Sequence, residues 1–101
     1  MIIVTGIAEI APGSIDVIKA AAQQMAVSSR AEQGCRKYAF YEDIEQPGRF
    51  RIYEEWETPE ALRAHFTMPH MQAFNAALGQ VEILKLEIEQ FLRGETIKVG
   101  D

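Results

Sequence analysis

Cysteine is almost absent from this sequence, which contains only Cys35 among its 101 residues. One cysteine excludes an internal disulfide and a cysteine-based metal site, so we expect a reducing, cytoplasmic environment. No apolar run approaches the roughly 20 residues that a membrane-spanning helix requires. The N-terminus also lacks the basic segment and the long apolar core of a signal peptide. These absences predict a protein without a membrane partner.

Positive charge is also sparse, with 10 Lys and Arg residues against 15 Asp and Glu residues and a net charge of -5. The basic residues are scattered, so the chain shows no electrostatic footprint for nucleic acid. Glycine-rich nucleotide loops and Gly-x-Ser-x-Gly nucleophile motifs are missing as well. His65 and His70 are separated by Pro69 and do not have the i, i+4 spacing of a helical zinc pair. The sequence therefore predicts neither a nucleic-acid partner nor a metal site.

The length of the chain suits one domain, residues 1–101. Two clear patterns lie in its first third. The segment Ile2–Ile10 is rich in β-branched residues and apolar on both faces, which predicts a central strand. Ser14 then predicts a helix N-cap, and apolar side chains recur every three or four residues over 15–29. Gly34 predicts a left-handed cap at the end of this helix.

A hairpin is predicted next, because two strand-like segments, residues 35–43 and 49–57, flank the pair Pro47-Gly48. Proline followed by glycine suits the two central positions of a type II turn. The register of the two strands, and hence which of their faces coincide, stays open at this point.

Two short helices and a final strand complete the pattern. Thr58 and Pro59 predict a helix start, as N-cap and first helical residue. Pro69 discourages helical geometry at the residue before it, so it separates a second helix that runs to about Leu78. Residues 84–91 alternate between apolar and largely charged side chains, which predicts a strand with one core face.

The resulting order, β-α-β-β-α(α)-β, is that of the ferredoxin-like split βαβ arrangement in the α+β class, an antiparallel sheet with helices on one face. Ile3, Ile7 and one face of each hairpin strand would then face water. A second copy placed sheet to sheet covers them, and twofold symmetry is the commonest solution. We therefore expect a homodimer through the open sheet face, with a tail at residues 92–101 that reaches the partner.

The stretch between the predicted turn and the second short helix resembles the antibiotic biosynthesis monooxygenase family. The resemblance lies in a Glu-x-Trp strand end, a histidine in the following helix and a Pro-His start to the next helix. These residues are Glu54, Trp56, His65, Pro69 and His70. Together with the order of elements, the resemblance covers nearly the whole chain. It implies a small dimeric α/β barrel, with a pocket between the sheet and the helices of each subunit.

The resemblance leaves the reaction open, because the family includes several chemistries. Its members are cofactor-free quinol and polyketide oxygenases, haem-degrading enzymes, an isomerase of a phosphorylated signalling sugar, and proteins with no known activity. The haem-degrading members use a Trp in the first short helix and a His about ten residues later as the iron ligand. The matching positions here are Phe66 and Ala76, or neighbouring Asn75, and none of these is a haem ligand. We therefore expect no haem and no other cofactor.

Two residues are candidates for catalysis, His65 and Glu54. His65 borders the apolar side of its helix, so it points either into a pocket, as a general base toward a phenol or quinol, or to a backbone carbonyl at the helix edge. Glu54 lies between Ile52 and Trp56 on an apolar strand face. It is either a pocket carboxylate that orients His65 or substrate, or half of a structural ion pair with an arginine, and the usual pairing of buried charges favours the ion pair.

Aromatic residues supply the candidates for substrate binding. They are Trp56, Tyr38, Tyr53, Phe66 and Phe74. The indole is either packing between sheet and helix or a platform for an aromatic ring, and each tyrosine hydroxyl either binds a substrate oxygen or lies at the rim of the core. His70 is expected to be exposed, because a helix N-terminus disfavours a cation.

Three functions are compatible with these residues. The first is a cofactor-independent monooxygenase that oxidises a quinol or polycyclic phenol with dioxygen, for which a base and a water-excluding apolar pocket suffice. The second is an isomerase or lyase of a small polar metabolite, which would need arginines converging in the pocket. The third is a dimeric ligand-binding or stress-response domain without catalysis, for which a closed cavity and a glutamate locked to an arginine would be typical.

Overall fold

The computed structural model describes residues 1–100 as one antiparallel sheet with helices packed against one of its faces. The strands are β1 (Ile2–Ile10), β2 (Cys35–Glu42), β3 (Arg49–Trp56) and β4 (Ile83–Leu92). The helices are α1 (Ile15–Arg30), α2 (Pro59–His65) and α3 (Pro69–Leu78). The strand order is β2-β3-β1-β4, so β1 is central, as its two apolar faces predict. The ferredoxin-like α+β fold is confirmed.

Helix α1 covers the sheet with the apolar stripe that the sequence predicts. Its buried residues are Ile18, Ala22, Met25, Ala26 and Ser29. The helix ends at Arg30, earlier than predicted, and Gly34 lies instead in the turn that leads into β2, with φ +84°. Ser14 stands at the N-cap position, but its hydroxyl accepts the backbone N–H of Glu82 at 3.3 Å rather than capping the helix.

The hairpin turn has the geometry that Pro47-Gly48 predicts. The N–H of Arg49 donates to the carbonyl of Gln46 at 3.2 Å, and Gly48 has φ +82°, as the third residue of a type II turn requires. Each strand ends one residue earlier than predicted. The turn therefore determines the register of the hairpin.

That register decides which side chains face the helices. Tyr38 pairs with Glu54, and Phe40 pairs with Ile52. Because paired residues of antiparallel strands point to the same face, these side chains share the helix-covered side of the sheet. Trp56 follows on the same face by the alternation of β3. The residues between them, Arg51, Tyr53 and Glu55 among them, lie on the open face.

The break between α2 and α3 also forms as predicted. The hydroxyl oxygen of Thr58 accepts the N–H of Ala61 at 3.1 Å, and Met68 is extended with ψ 147° before Pro69. The chain turns sharply there, so the start of α3 lies beside the end of α2. The rings of His65 and His70 are consequently 5.9 Å apart between centroids.

Strand β4 leaves part of the helix-side face uncovered. Leu86 and Ile88 pair with Ala8 and Gly6 of β1, yet both are about half exposed. Residues 93–100 form neither strand nor helix, and Asp101, the last residue of the predicted tail, lies outside the described residues. Within residues 1–100, none of the helices is long and apolar enough to cross a bilayer.

Candidate functional site

A cavity of about 240 Å³ lies between the helices and the covered face of the sheet. Its walls are mainly apolar and come from β1 to β4 and from all three helices. The polar residues among those that line it are Tyr38, Glu54, His65 and Asn75. An apolar hollow with a few converging polar groups is the usual form of a small-molecule site.

The structure brings most of the predicted site residues together. Tyr38, Glu54, His65, Phe66 and Phe74 all line the cavity. The ring centroid of His65 lies 5.4 Å from that of Tyr38 and 5.7 Å from that of Phe66. These residues come from β2, β3, α2 and α3, so only the folded chain assembles them.

Trp56 lies behind the site and not in the cavity wall. Its side chain is fully buried, and its ring centroid is 4.7 Å from that of His65. The indole N–H donates to a carboxylate oxygen of Glu54 at 2.8 Å. The indole therefore holds two cavity residues in place from behind, which agrees with packing between sheet and helix.

Tyr53 is on the opposite face of the sheet and does not line the cavity. It pairs with Thr5 of β1, and its hydroxyl donates to Glu55 at 2.5 Å. The physical reason is the alternation of β3, since neighbours of Ile52 and Glu54 must point to the open face. Its predicted contact with substrate does not arise in one subunit.

Glu54 is buried without an arginine, so the favoured ion pair was wrong. Arg36 pairs with Glu57 and Arg63 with Glu60 at the surface, while Arg51 donates to the hydroxyl of Thr5 on the open face. The side chain of Glu54 accepts only the indole N–H of Trp56 among the described residues. Burial raises the pKa of Glu54 to about 7. Near neutral pH this carboxyl group can therefore both give and take a proton.

A different carboxylate, Glu32, orients His65. Its Oε2 atom lies 2.7 Å from His65 Nδ1 and 2.6 Å from His70 Nε2. An ionised carboxylate only accepts, so each ring donates an N–H to the same oxygen. His70 was expected to be exposed, but its side chain is only 17% exposed because it packs onto this carboxylate.

This arrangement selects one tautomer of the His65 imidazole. With the hydrogen on Nδ1 and donated to Glu32, Nε2 carries the lone pair. His65 as a whole is 1% exposed, and it borders the cavity. An imidazole that borders an apolar cavity, with its Nδ1 held by a carboxylate, has the arrangement of a general base with an orienting group.

Glu32 was not singled out in the sequence, although one signal was present. It follows the C-terminus of α1 by two residues. A carboxylate there is disfavoured by the helix dipole, so a glutamate in that place has to be stabilised by something else. Nothing local in the sequence identifies the two histidines that do so, which are more than 30 residues away.

The chain matches known sequences over most of its length. The profile of the family described as antibiotic biosynthesis monooxygenase matches residues 1–77. The uncharacterised Synechocystis protein sll1783 is 34% identical over 73 residues, which cover 72% of this chain and 50% of that protein. YcnE of Bacillus subtilis, provisionally named a monooxygenase, is 28% identical over 76 residues, which cover 75% of this chain and 80% of that protein. The chain thus spans about half the length of the Synechocystis relative.

Solved structures have the same fold. A Deinococcus radiodurans protein, provisionally named an antibiotic biosynthesis monooxygenase, superposes with a TM-score of 0.92 at 28% identity, with 100% of both chains covered. Rv0793 of Mycobacterium tuberculosis superposes with a TM-score of 0.86 at 23% identity over 96% of this chain and 98% of that one. The family profile covers well over half of the 101 residues. The chain belongs to the antibiotic biosynthesis monooxygenase family.

Proposed function

We propose that this protein is a cofactor-independent monooxygenase that oxidises a small quinol with dioxygen. The observation that carries the proposal is the His65 imidazole, held by Glu32 at 2.7 Å through Nδ1 while its ring lines an apolar cavity. Membership of a family named for monooxygenases supports the reaction class. A single free thiol, Cys35, supports a reducing, cytoplasmic location.

The volume of the cavity limits the substrate. An apolar cavity of about 150 Å³ holds benzene in another protein, and pockets for drug-sized ligands start at roughly 300 Å³. The cavity here, at about 240 Å³, lies between these values. A quinol of one or two rings therefore fits better than a larger polycyclic phenol.

The proposed chemistry begins with proton transfer. Nε2 of His65 takes the hydroxyl proton of the quinol, and the resulting anion can pass an electron to dioxygen without a cofactor. Tyr38 and Glu54 line the same cavity, so we propose the tyrosine hydroxyl and the protonated form of Glu54 as the donors to the developing oxyanion. One oxygen atom then enters the ring and the other leaves as water, so a quinol and one dioxygen give a hydroxyquinone.

Isotope labelling tests this function. A panel of one-ring, two-ring and three-ring hydroquinones is incubated with the protein under ¹⁸O₂, and dioxygen uptake and product mass are recorded. We expect uptake above autoxidation, one ¹⁸O atom in the product, and turnover that falls sharply at three rings. Uptake no faster than autoxidation across the panel would exclude the monooxygenase, and rapid oxidation without label would show an oxidase instead.

The two alternatives lack the features that would favour them. An isomerase or lyase of a polar metabolite needs cationic groups in the cavity, and among residues 1–100 neither lysine nor arginine lines it. A closed cavity and a Glu54 paired to an arginine would be typical of a non-catalytic domain. The cavity is open, and the glutamate has only an indole N–H as partner among the described residues.

We also propose that two copies associate through the open sheet face. Ile3 and Ile7 are only partly buried there, and Phe91, which pairs with Ile3, is 50% exposed. The substitution Phe91→Glu places a charge in such an interface and should weaken the dimer at least about tenfold. Sedimentation across a dilution series measures this. Gln90→Glu, which pairs with Val4 on the other face of β4, is the matched control, and equal dissociation constants for both variants would contradict the proposed face.

A further inference from the structure

We propose that Glu32, His65 and His70 form a binding site for one divalent transition-metal ion. One carboxylate oxygen and the nearer ring nitrogens of both histidines all lie within 4.8 Å of one another. They come from three places in the chain: the turn after α1, the last residue of α2 and the second residue of α3. The proposed general base uses the contact between Glu32 and His65, but it does not require His70.

The directions of the hydrogen bonds favour a cation at the centre. Nδ1 of His65 and Nε2 of His70 both point at the same oxygen, at 2.7 and 2.6 Å. A metal ion that replaces the shared hydrogens would lie about 2.0–2.2 Å from each ligand. Ligand atoms around such an ion are roughly 3 Å apart. Each nitrogen therefore moves a few tenths of an ångström away from the oxygen, and the two nitrogens, which lie within 4.8 Å of each other, move closer together.

The second oxygen of Glu32 supports the same conclusion. Oε1 is buried and has no hydrogen-bond partner within the described part of the chain. The side chain as a whole is 5% exposed. A buried carboxylate oxygen without a donor is uncommon and calls for a ligand. A cation beside this carboxylate satisfies both oxygens at once.

The donor set determines the class of metal. Two imidazole nitrogens and one carboxylate suit Zn²⁺, Co²⁺, Ni²⁺ or Fe²⁺, whereas Ca²⁺ and Mg²⁺ prefer ligands that are all oxygen. The carboxylate supplies one negative charge, so a divalent ion keeps a net positive charge and positions open for water. The partly exposed side chain of His70 provides access from solvent.

Metal binding would switch off the base, a consequence that rests on the proposed function. A neutral imidazole bound to metal through Nδ1 carries its hydrogen on Nε2. Nε2 of His65 then has no lone pair for a quinol proton. We expect Zn²⁺ to inhibit oxidation at the occupancy at which it binds.

Calorimetry with metal alone tests the site without any substrate. Tag-free protein is stripped with chelator and titrated with ZnCl₂, and Co²⁺ is added separately to follow its visible absorption. We expect one ion per chain, with nitrogen ligation of Co²⁺. Loss of a residue that only supports a ligand weakens metal binding by about 10–100-fold, so His70→Ala should weaken it by at least that much. Circular dichroism checks that the variant keeps its secondary structure. Glu60→Gln, which alters a carboxylate with a 74% exposed side chain, should bind like the wild type.

Two results would overturn the site. The first is the absence of saturable binding of Zn²⁺ and Co²⁺. The second is binding that is equal in the wild type, His70→Ala and Glu32→Gln. Because binding is measured without quinol, a protein that binds metal but oxidises nothing would refute the proposed function and support the site.

Discussion

The substitution His65→Gln is expected to lower kcat/KM for quinol oxidation about 10²–10⁴-fold, the range for loss of a general base. Glutamine keeps an N–H for Glu32, so the buried carboxylate is not left without that donor. It has no basic nitrogen to accept the substrate proton. Dioxygen uptake in the presence of excess chelator, with the best hydroquinone of the panel, measures the effect.

His70→Gln is the matched control for this substitution. It also retains an N–H for Glu32, but His70 does not line the cavity. We expect its activity to stay within about tenfold of the wild type, since a positioning contact contributes less than the base itself. Equal activity of His65→Gln and the wild type would rule out His65 as the base. Equal losses in both variants would assign the effect to the shared carboxylate.

The second large effect concerns stability and pH. Burial raises the pKa of Glu54 from 4.5 to about 7, so the folded protein binds this proton more tightly than the unfolded chain does. Stability rises with pH only where the unfolded state binds more protons, and here the native state does. The free energy of unfolding should therefore fall as pH rises from 4.5 to about 7, and the loss is complete above that range. The contribution of this one group is about 3 kcal/mol.

Glu54→Gln isolates this contribution. The amide oxygen can still accept the indole N–H of Trp56, but the side chain does not ionise. We compare the free energies of unfolding of the variant and the wild type at each pH. The variant minus wild-type difference should be about 3 kcal/mol larger at pH 8 than near pH 4. Urea unfolding at both pH values measures the difference, with the exposed Glu60→Gln as control. A difference that does not change with pH would show that Glu54 ionises normally in the fold.

Much of the fold follows from local chemistry that is written in the sequence. Thr58 caps α2, Pro69 separates α2 from α3, and Pro47-Gly48 forms the type II turn, because each acts on backbone groups within a few residues. The apolar alternation and the helical stripe then determine which faces meet in the core. Such signals are short-range, so they do not depend on the rest of the chain.

The candidate site could be predicted from the sequence less completely than the fold. The sequence left His65 open between a pocket and a backbone carbonyl, and it favoured an ion pair for Glu54. Both side chains line the cavity. Alternation along β3 puts Tyr53 opposite Glu54, but only the tertiary structure decided which of these two faces the helices cover. Glu32 could not be connected with His65 and His70 at all, since its contacts join residues more than 30 positions apart.

The sequence by itself therefore determined the order and type of the elements, the turn and the helix boundaries near proline and threonine. Only the tertiary structure decided which carboxylate holds the imidazole, and that the two histidines share it. The reason is physical: propensity and periodicity act over one or two turns of chain. An ionisable cluster forms where distant elements pack together, and its position depends on the register and angles of that packing.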